Sequence, residues 1–230
     1  MAKISAMLND TSTRPNLGER ICQIGIKLLG ADGVSLALTY GNVLNSEINS
    51  DKEYAFLDEQ QFTYAEGPTY EARKSTEPVS AKNFESNTEK TRWPIFSPIA
   101  LDRGVHSMVA FPLRVGNSNL GVLSAYRKNT NQLLSNEFID GLTLSTLAGS
   151  FLIQEMANKD SENSDSIIDA INQDQSIIHL ASGVIAEKFN LSIVEALVRL
   201  RAYAYRKDLP LLTVATEIAE GNMKFTDWEK

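Results

Sequence analysis

Apolar and polar positions along the first two-thirds of the chain follow the periods of helices and strands. Apolar side chains recur every three or four positions in residues 16–29 and again in 135–157, which predicts an amphipathic helix at each place. Alternating side chains predict paired strands with turns near Gly41-Asn42 and Gly116. The strands are expected at 34–40, 43–49, 105–115 and 119–128. Shorter elements are expected between them, namely helices at 51–62, 69–74 and 93–102 and an edge strand at 77–81. This order predicts an α+β domain whose antiparallel sheet has its flanking helices on one side.

The last quarter of the chain has only helical periodicity. Three helices are expected, at 167–188, 192–207 and 210–221. The second opens with a capping box, in which Ser192 and Glu195 satisfy each other's free backbone N–H groups. The third starts at Pro210, which suits a first helical position because the N–H there needs no partner. We therefore predict an all-α module of three helices after the α+β domain.

A polar segment rich in serine, asparagine and acidic residues separates the two parts. Residues 158–166 have a composition typical of a linker. The same residues also fit an exposed continuation of the preceding helix, which would form a rigid dimeric stalk. The predicted organisation is a domain at 1–157, a linker or helical stalk at 158–166, and a three-helix module at 167–230.

Charge is distributed unevenly between these parts. The 230-residue chain has a formal net charge of -7. Residues 1–175 hold 15 Lys and Arg against 22 Asp and Glu, whereas residues 176–230 hold 7 of each kind. An acidic chain is poorly suited to coating nucleic acid without specificity. Any contact with nucleic acid must therefore come from a local basic face of the neutral tail.

The remaining composition bears on compartment and thiol chemistry. Cys22 is the only cysteine, so no internal disulfide forms, which fits a reducing compartment. We expect its side chain to be buried in the helix at 16–29. The first residues lack the apolar region of a secretory signal, and no apolar stretch approaches the ~18 residues that a membrane helix needs. We therefore expect a soluble, cytoplasmic protein that does not enter a membrane.

A series of short motifs runs in order through the three predicted helices of the tail. The motifs are Ala181-x-Gly183, Ser192 with Glu195-Ala196, Leu200-Arg201, Ala204 and Leu211-x-x-Val214-Ala215. With them, the tail resembles the ANTAR domain, an RNA-binding module of bacterial transcription antiterminators. The resemblance implies that the module binds RNA hairpin loops and that it acts as a dimer on paired loops.

Landmarks of a second kind occur in order in the first part of the chain. They are Glu66-Gly67-Pro68, Arg92-Trp93-Pro94, Phe111-Pro112-Leu113 and Leu120-Gly121. With them, residues 16–157 resemble a GAF domain of the kind joined to ANTAR modules in actinobacterial regulators. The resemblance implies a sensor of small molecules or of protein partners. In related sequences the residue after Gly-Pro is often cysteine, whereas Thr69 stands here, which excludes thiol chemistry at that point.

Basic and aromatic side chains are interleaved on the second helix of the tail. The candidates for RNA contact are Lys188, Arg199, Arg201, Tyr203, Tyr205, Arg206 and Lys207. Single-stranded loops are recognised by stacking on aromatic rings and by Arg or Lys contacts to phosphates and base edges. By spacing alone, the same side chains also fit a solvated helix face with half-buried tyrosines, and the resemblance favours RNA. Gly183 is costly inside a helix, so we expect a close approach there, by a crossing helix in preference to RNA.

Aromatic and apolar side chains near the second hairpin are the candidates for a sensor pocket. They are Tyr70, Trp93, Phe96, Met108, Phe111 and Tyr126. A pocket lined by such residues with a few polar groups is a typical site for a small-molecule effector. The residues do not indicate which effector it is, and each of them also fits a plain apolar core.

Other classes of function find less support in the residues. The sequence has no Cys/His cluster for zinc and no phosphate-binding glycine loop, so we predict neither a metal nor a cofactor. Two histidines in different domains do not make a Ser-His-Asp set, so we do not expect an enzyme. We predict an RNA-binding transcription antitermination regulator that acts as a homodimer. The alternatives are a DNA-binding helical regulator and a ligand-sensing signalling protein without RNA activity.

Overall fold

A computed structural model of the protein describes residues 1–9, 16–40, 43–49, 51–116, 118–157, 167–207, 209–223, 225 and 228. The chain divides into two units, Met1–Ile167 and Ile168–Lys230. The linker or stalk predicted at 158–166 lies outside the described residues, as does the turn at Gly41-Asn42.

The first unit is organised around one five-stranded antiparallel sheet. Its strands are β1 (Gly33–Tyr40), β2 (Val43–Asn49), β3 (Val79–Ala81), β4 (Ser107–Val115) and β5 (Ser118–Arg127). They lie in the order β2-β1-β5-β4-β3, and every neighbouring pair is antiparallel. The two predicted hairpins are therefore confirmed as β1-β2 and β4-β5. The short strand β3 lies at the edge, as predicted.

Helices cover both faces of this sheet. They are α1 (Ala2–Asn9), α2 (Leu17–Leu29), α3 (Lys52–Tyr64), α4 (Pro68–Ala72), α5 (Asn87–Arg92), α6 (Phe96–Asp102) and α7 (Ser135–Ala157). In β1, a Cβ added to Gly33 would overlap the ring of Tyr54 in α3, whereas the next residue, Val34, lies against Gly25 of α2. Successive strand residues point to opposite faces, so α2 and α3 lie on opposite sides of the sheet. The prediction that helices flank one side only is wrong, because consecutive residues of β1 are buried and need cover on both faces.

The connection between β3 and β4 holds two short helices in place of the single predicted one. Helix α5 ends at Arg92 and α6 begins at Phe96. Pro94 lies between them, and a proline disfavours the helical conformation of the residue before it. Trp93 accordingly leaves the helix with φ -134° and ψ 74°. The helix predicted at 93–102 therefore starts later than expected.

Helix α2 carries the only cysteine of the chain. Asn16 caps its start by accepting a hydrogen bond from the backbone N of Glu19 at 2.8 Å. Gly30 ends it with φ 53°, a left-handed conformation that favours glycine. Cys22 is buried, as predicted. Burial, with the charges of Asp58 and Glu19, raises the pKa of its thiol and disfavours the thiolate.

The second unit has the three predicted helices among its described residues. They are α8 (Ile167–Phe189), α9 (Ile193–Lys207) and α10 (Leu211–Ala219). Its core consists of small and branched apolar side chains, including Ala181, Ile185, Ala196, Leu200, Ala204, Val214 and Ala215. The capping box of α9 is confirmed, because Ser192 N donates to Glu195 Oε2 at 2.9 Å and Glu195 N donates to Ser192 Oγ at 3.2 Å.

Gly183 has surroundings that differ from the prediction. A Cβ added to this residue of α8 would meet no described atom within 4 Å. The expected helix crossing is therefore wrong for the described part of the chain, since Gly183 faces open space there.

Candidate functional site

Four aromatic rings of the second unit pack together, and we call them the aromatic cluster. They are Phe189, Tyr203, Phe225 and Trp228. Tyr203 and Trp228 are stacked, with ring centroids 4.3 Å apart and an interplanar angle of 11°. Phe189 meets Phe225 edge-on at 5.8 Å. Trp228 is 5% exposed, so residues beyond the last predicted helix belong to the packed unit.

Three of the predicted RNA-contacting residues hold the aromatic cluster together. Arg199 Cζ lies 4.2 Å from the ring centroid of Phe189, and its Nη2 donates to the carbonyl oxygen of Trp228 at 2.9 Å. Lys188 Nζ lies 4.8 Å from the ring centroid of Phe225. Cation–π contacts of this kind stabilise an aromatic ring next to a positive charge. Lys188, Arg199 and Tyr203 therefore contribute to packing within the unit.

The other candidates on α9 are placed differently. Tyr205 is 55% exposed, Arg206 and Lys207 are exposed, and Arg201 is half-buried. Arg206 Cζ and Lys207 Nζ lie 5.3 Å and 5.7 Å from the ring centroid of Tyr203. We call Tyr205, Arg206 and Lys207 the α9 basic end. The ring next to the two cations is therefore the half-buried one of Tyr203. The exposed ring of Tyr205 is suited to stacking a base, and the two exposed cations are suited to pairing with phosphate.

In the first unit, a buried polar network joins α3, α4 and β5. Its members are Asp58, Gln61, Thr69, Ser124 and Tyr126, each at most 3% exposed. Thr69 Oγ1 accepts from Gln61 Nε2 at 2.9 Å and lies 2.8 Å from Ser124 Oγ, and Thr69 N donates to Gln61 Oε1 at 2.8 Å. The Tyr126 hydroxyl donates to Asp58 Oδ1 and accepts from Gln61 Nε2 at 3.2 Å. Thr69, the residue after Gly67-Pro68, thus links α3 to β5 through its hydroxyl.

The phenol groups at this network stay protonated. Burial, with the charge of Asp58 beside it, raises the pKa of Tyr126 well above its ordinary value. Tyr54 stacks on Tyr126 with ring centroids 5.1 Å apart, and burial raises the pKa of Tyr54 to about 12. Tyr126 therefore remains a hydrogen-bond donor to Asp58 at neutral pH. A satisfied buried network of this kind makes the surrounding core specific and rigid.

The predicted pocket residues on β4 and β5 lie on two faces of the sheet. Met108 and Tyr126 are partners across the two strands and share the face that α3 covers. Phe111 points to the opposite face, where its ring lies 5.6 Å from that of Phe138 in α7. The reason is the two-residue period of a strand, which sends positions an odd number apart to opposite sides. The expectation that Phe111 shares a pocket with Met108 and Tyr126 is therefore not met.

The remaining predicted pocket residues lie among the short helices. Trp93 and Phe96 pack around Phe84, with ring centroids 6.1 Å and 5.6 Å away. Tyr70 is half-buried, with Arg73 Cζ 4.9 Å from its ring centroid. In the described part of the chain, the six candidates therefore do not line one common cavity, and their role in ligand binding stays a prediction.

A cavity of about 200 Å³ lies on the α7 side of the sheet, at the β3 edge. Its lining includes Ser80, Lys82, Val109, Arg127, Asn131 and Phe138. Arg127 is 7% exposed, whereas Lys82 and Asn131 are exposed at the opening. None of these residues is among the six candidates predicted for a sensor pocket. The available signal was Arg127, a charged residue that ends a strand of otherwise uncharged side chains.

The described residues contain neither a cluster of metal ligands nor a membrane-spanning helix. No three His, Cys, Asp or Glu side chains among them are grouped so as to hold a metal ion. No described helix is both long enough and apolar enough to span a membrane.

The sheet order and the helices on both faces define the first unit as an α+β domain built on an antiparallel sheet. The chain belongs to the GAF domain family, whose model matches residues 11–153. This match lies within the first unit, and membership of the family indicates a role in sensing or signalling. The predicted GAF domain is therefore confirmed.

Solved GAF domains share this fold. The GAF domain from a phosphoenolpyruvate-protein phosphotransferase of Coxiella burnetii is 15% identical, with a TM-score of 0.50 over 70% of this chain and 96% of that chain. The GAF domain from the Acinetobacter phosphoenolpyruvate-protein phosphotransferase is 12% identical, with a TM-score of 0.50 over 70% of this chain and 95% of that chain. At these identities the likeness concerns the fold alone. A search of curated proteins gave no match.

Proposed function

We propose that the protein is a transcription antitermination regulator in which the GAF domain controls an RNA-binding C-terminal module. The module would stabilise an RNA hairpin that competes with a terminator. Support comes from the ordered ANTAR-like motifs of the tail and from the three helices that carry them. The single observation that carries the proposal is the α9 basic end, where a tyrosine and two cations are all exposed in the last turn of the helix.

The α9 basic end has the chemistry that a single-stranded loop requires. Loop bases are unstacked and bind aromatic rings, while their phosphates pair with Arg and Lys. Residues 176–230 have as many acidic as basic side chains, so binding depends on this local surface and not on overall charge. Gly183 supports the proposal further, because a glycine with open space beside it lets a ligand backbone approach the helix closely.

The test begins with selection from a pool of RNA hairpins with randomised loops, using the full chain at physiological salt. Enriched hairpins are then titrated beside loop-scrambled hairpins, duplex RNA and duplex DNA. We expect Tyr205→Ala to weaken binding of the enriched hairpins about tenfold, since one base stacked on an aromatic ring contributes ~1–3 kcal/mol. Arg206→Ala should weaken it by a similar factor, because it removes one charged hydrogen bond to a phosphate. Lys90→Ala, at an exposed lysine of α5, is the matched control and should leave affinity unchanged.

Each other result would contradict this proposal and would support a different conclusion. Equal affinity for enriched and scrambled loops would contradict loop recognition. Preference for duplex DNA would indicate a DNA-binding helical regulator. Absence of binding to every nucleic acid would indicate a signalling protein without RNA activity.

We also propose that the protein is a homodimer that pairs through α7. One face of this helix carries exposed side chains at coiled-coil spacing, which we call the α7 stripe: Ile139, Leu142, Thr146, Ser150 and Ile153. Ile139 is 60% exposed, and Leu142 and Ile153 are each 38% exposed. Ile139, Thr146 and Ile153 recur at intervals of seven residues, the repeat of paired helices. Pairing of two copies would remove these apolar side chains from water.

Light scattering of the full chain tests the dimer. Ile139→Glu and Ile153→Glu place a carboxylate in the stripe and should give a monomer. Asn136→Glu and Gln154→Glu add the same charge at exposed positions of α7 outside the stripe and should leave the dimer intact. A monomeric parent protein, or a dimer that survives both stripe variants, would contradict pairing through α7.

A further inference from the structure

The cavity at the β3 edge combines a buried cation with an apolar wall. Arg127 and Ser107 are buried where they line it. Val109, Leu133 and Phe138 are half-buried and also line it. Half-buried apolar side chains beside open space are surfaces that the hydrocarbon part of a ligand can cover.

Arg127 has donor capacity left at this cavity. Its Nη2 donates to the carbonyl oxygen of Leu29 and to Glu137 Oε2, the latter at 3.2 Å. Its Nη1 donates to the carbonyl oxygen of Asn131 at 3.1 Å. Its Nε is buried and has no hydrogen-bond partner among the described residues. A buried N–H without an acceptor is unfavourable, so the guanidinium of Arg127, which lines the cavity, favours a further acceptor beside it.

The charges around the cavity favour an anion. Arg127 and Lys82 are the cations that line it, and Lys82 is exposed at the opening. Glu137 pairs with Arg127 and faces it from the first turn of α7. The buried Glu89 accepts a hydrogen bond from the backbone N of Lys82 at 3.3 Å but is not part of the lining. The lining itself therefore has the charge of Lys82 with no lining carboxylate to offset it. A ligand with a single negative charge matches this balance better than a phosphate dianion.

We propose that this cavity is a binding site for a small monocarboxylate with a short hydrocarbon tail. The carboxylate accepts hydrogen bonds from Arg127 and Lys82, and the tail lies against Val109 and Phe138. A volume of about 200 Å³ is below the usual range for drug-sized ligands, which restricts the ligand to a few carbon atoms. Because Phe138 belongs to α7, the bound molecule would contact the helix that carries the α7 stripe.

Isothermal titration of the full chain with acetate, butyrate and hexanoate tests the site. We expect saturable binding of at least one of the three, and none of butylamine or inorganic phosphate. Lys82→Met keeps the aliphatic stem and removes the charge, so it should weaken the tightest carboxylate about tenfold, the effect of one charged hydrogen bond. Lys90→Met is the matched control, an exposed lysine outside the cavity, and should bind as the parent does.

A second variant tests the position of the site and leaves Arg127 in place. Replacing Arg127 itself would leave its buried hydrogen-bond acceptors without a donor. Val109→Trp fills the cavity and should abolish carboxylate binding while urea denaturation shows a folded protein. The proposal is overturned if no carboxylate binds saturably, or if butylamine or phosphate binds as tightly as the best carboxylate. It is overturned equally if affinity is unchanged in Lys82→Met or in folded Val109→Trp. The carboxylate titration contains no RNA, so its outcome does not depend on whether the C-terminal module binds RNA.

Discussion

Thr69 contributes one hydroxyl that two buried partners share. Thr69→Val keeps the shape of the side chain and removes the atom that contacts Gln61 and Ser124. Both partners then lose a hydrogen bond in the core, and we expect the free energy of unfolding to fall by about 1–3 kcal/mol. Urea denaturation measures the change. Thr88→Val, at an exposed position of α5, is the control and should stay within about 0.5 kcal/mol of the parent. An unchanged free energy of unfolding in Thr69→Val would show that the network does not need this hydroxyl.

Gly183 and Gly25 both lie inside helices, but their surroundings differ. Gly183→Ala should raise the free energy of unfolding by about 0.5–1 kcal/mol, because alanine is favoured in helices and its Cβ meets no described atom within 4 Å. Gly25→Ala should lower it, because its Cβ would lie 3.0 Å from Val34 Cγ1 in a packed core. Denaturation followed by circular dichroism compares the two. A destabilising Gly183→Ala would reveal another surface against α8.

For single residues, the periodicity of the sequence predicted which side chains are buried better than it predicted which side chains they contact. Met108, Phe111 and Tyr126 are all buried as candidates for an apolar interior should be. Which face each one takes depends on strand register, and that places Phe111 against α7. The packing roles of Arg199 and Tyr203 depend on Trp228, whose segment carries no helical or strand period and gave no signal.

Helix α9 begins with a capping box whose strength depends on pH. Hydrogen bonds from the side chain and backbone of Ser192 lower the pKa of Glu195 below its usual value. A carboxyl with a lower pKa in the folded chain stabilises the fold above its ordinary pKa, and the gain is lost as pH falls through the folded value. We therefore expect the second unit to lose stability as pH falls from neutrality through and below the usual range of glutamate.

Thermal melts across an acidic pH series, followed by far-UV circular dichroism, measure this dependence. Glu195→Gln should flatten the part of the profile that Glu195 contributes. Glu187→Gln, at an exposed position of α8, is the control and should keep the profile of the parent. The same profile in Glu195→Gln and the parent would rule out this contribution.

Elements with strong periods were predicted well, and elements set by single residues or by context were not. Both hairpins, the long helix α7 and the three helices of the tail have long runs of regular spacing. The separation of α5 from α6 depends on Pro94 alone. Helix α1 is short, and its buried residues, Ile4 and Leu8, become apparent only when α2 and α7 are in place. The second layer of helices follows from burial on both faces of the strands, and the alternating pattern alone does not predict it.

Each unit of the whole molecule contains one of the two tryptophans, Trp93 in the first and Trp228 in the second. Trp228→Ala removes a nearly buried ring from the aromatic cluster, a loss of about 3–5 kcal/mol. A unit of this size has a total stability of similar magnitude, so we expect the second unit to unfold. The first unit has its own core and should remain folded.

Spectroscopy separates the two outcomes. In Trp228→Ala, helical circular dichroism should decrease, while the fluorescence of Trp93 should keep the emission of a buried ring. Trp228→Phe preserves an aromatic side chain at the cluster and serves as the control. A red shift of Trp93 emission in Trp228→Ala would show that the two units depend on each other for stability.

The buried thiol of Cys22 can report on opening of the domain that contains it. Its thiol is buried in α2 and held in the neutral form, so a thiol reagent can modify the native chain only when the core opens. The rate at which Cys22 is labelled in the unmodified protein therefore measures how often the GAF domain opens. A ligand that stabilises the closed domain should lower this labelling rate. A cysteine introduced at the surface would react much sooner, which makes single-site attachment of a probe practical without removing the native thiol.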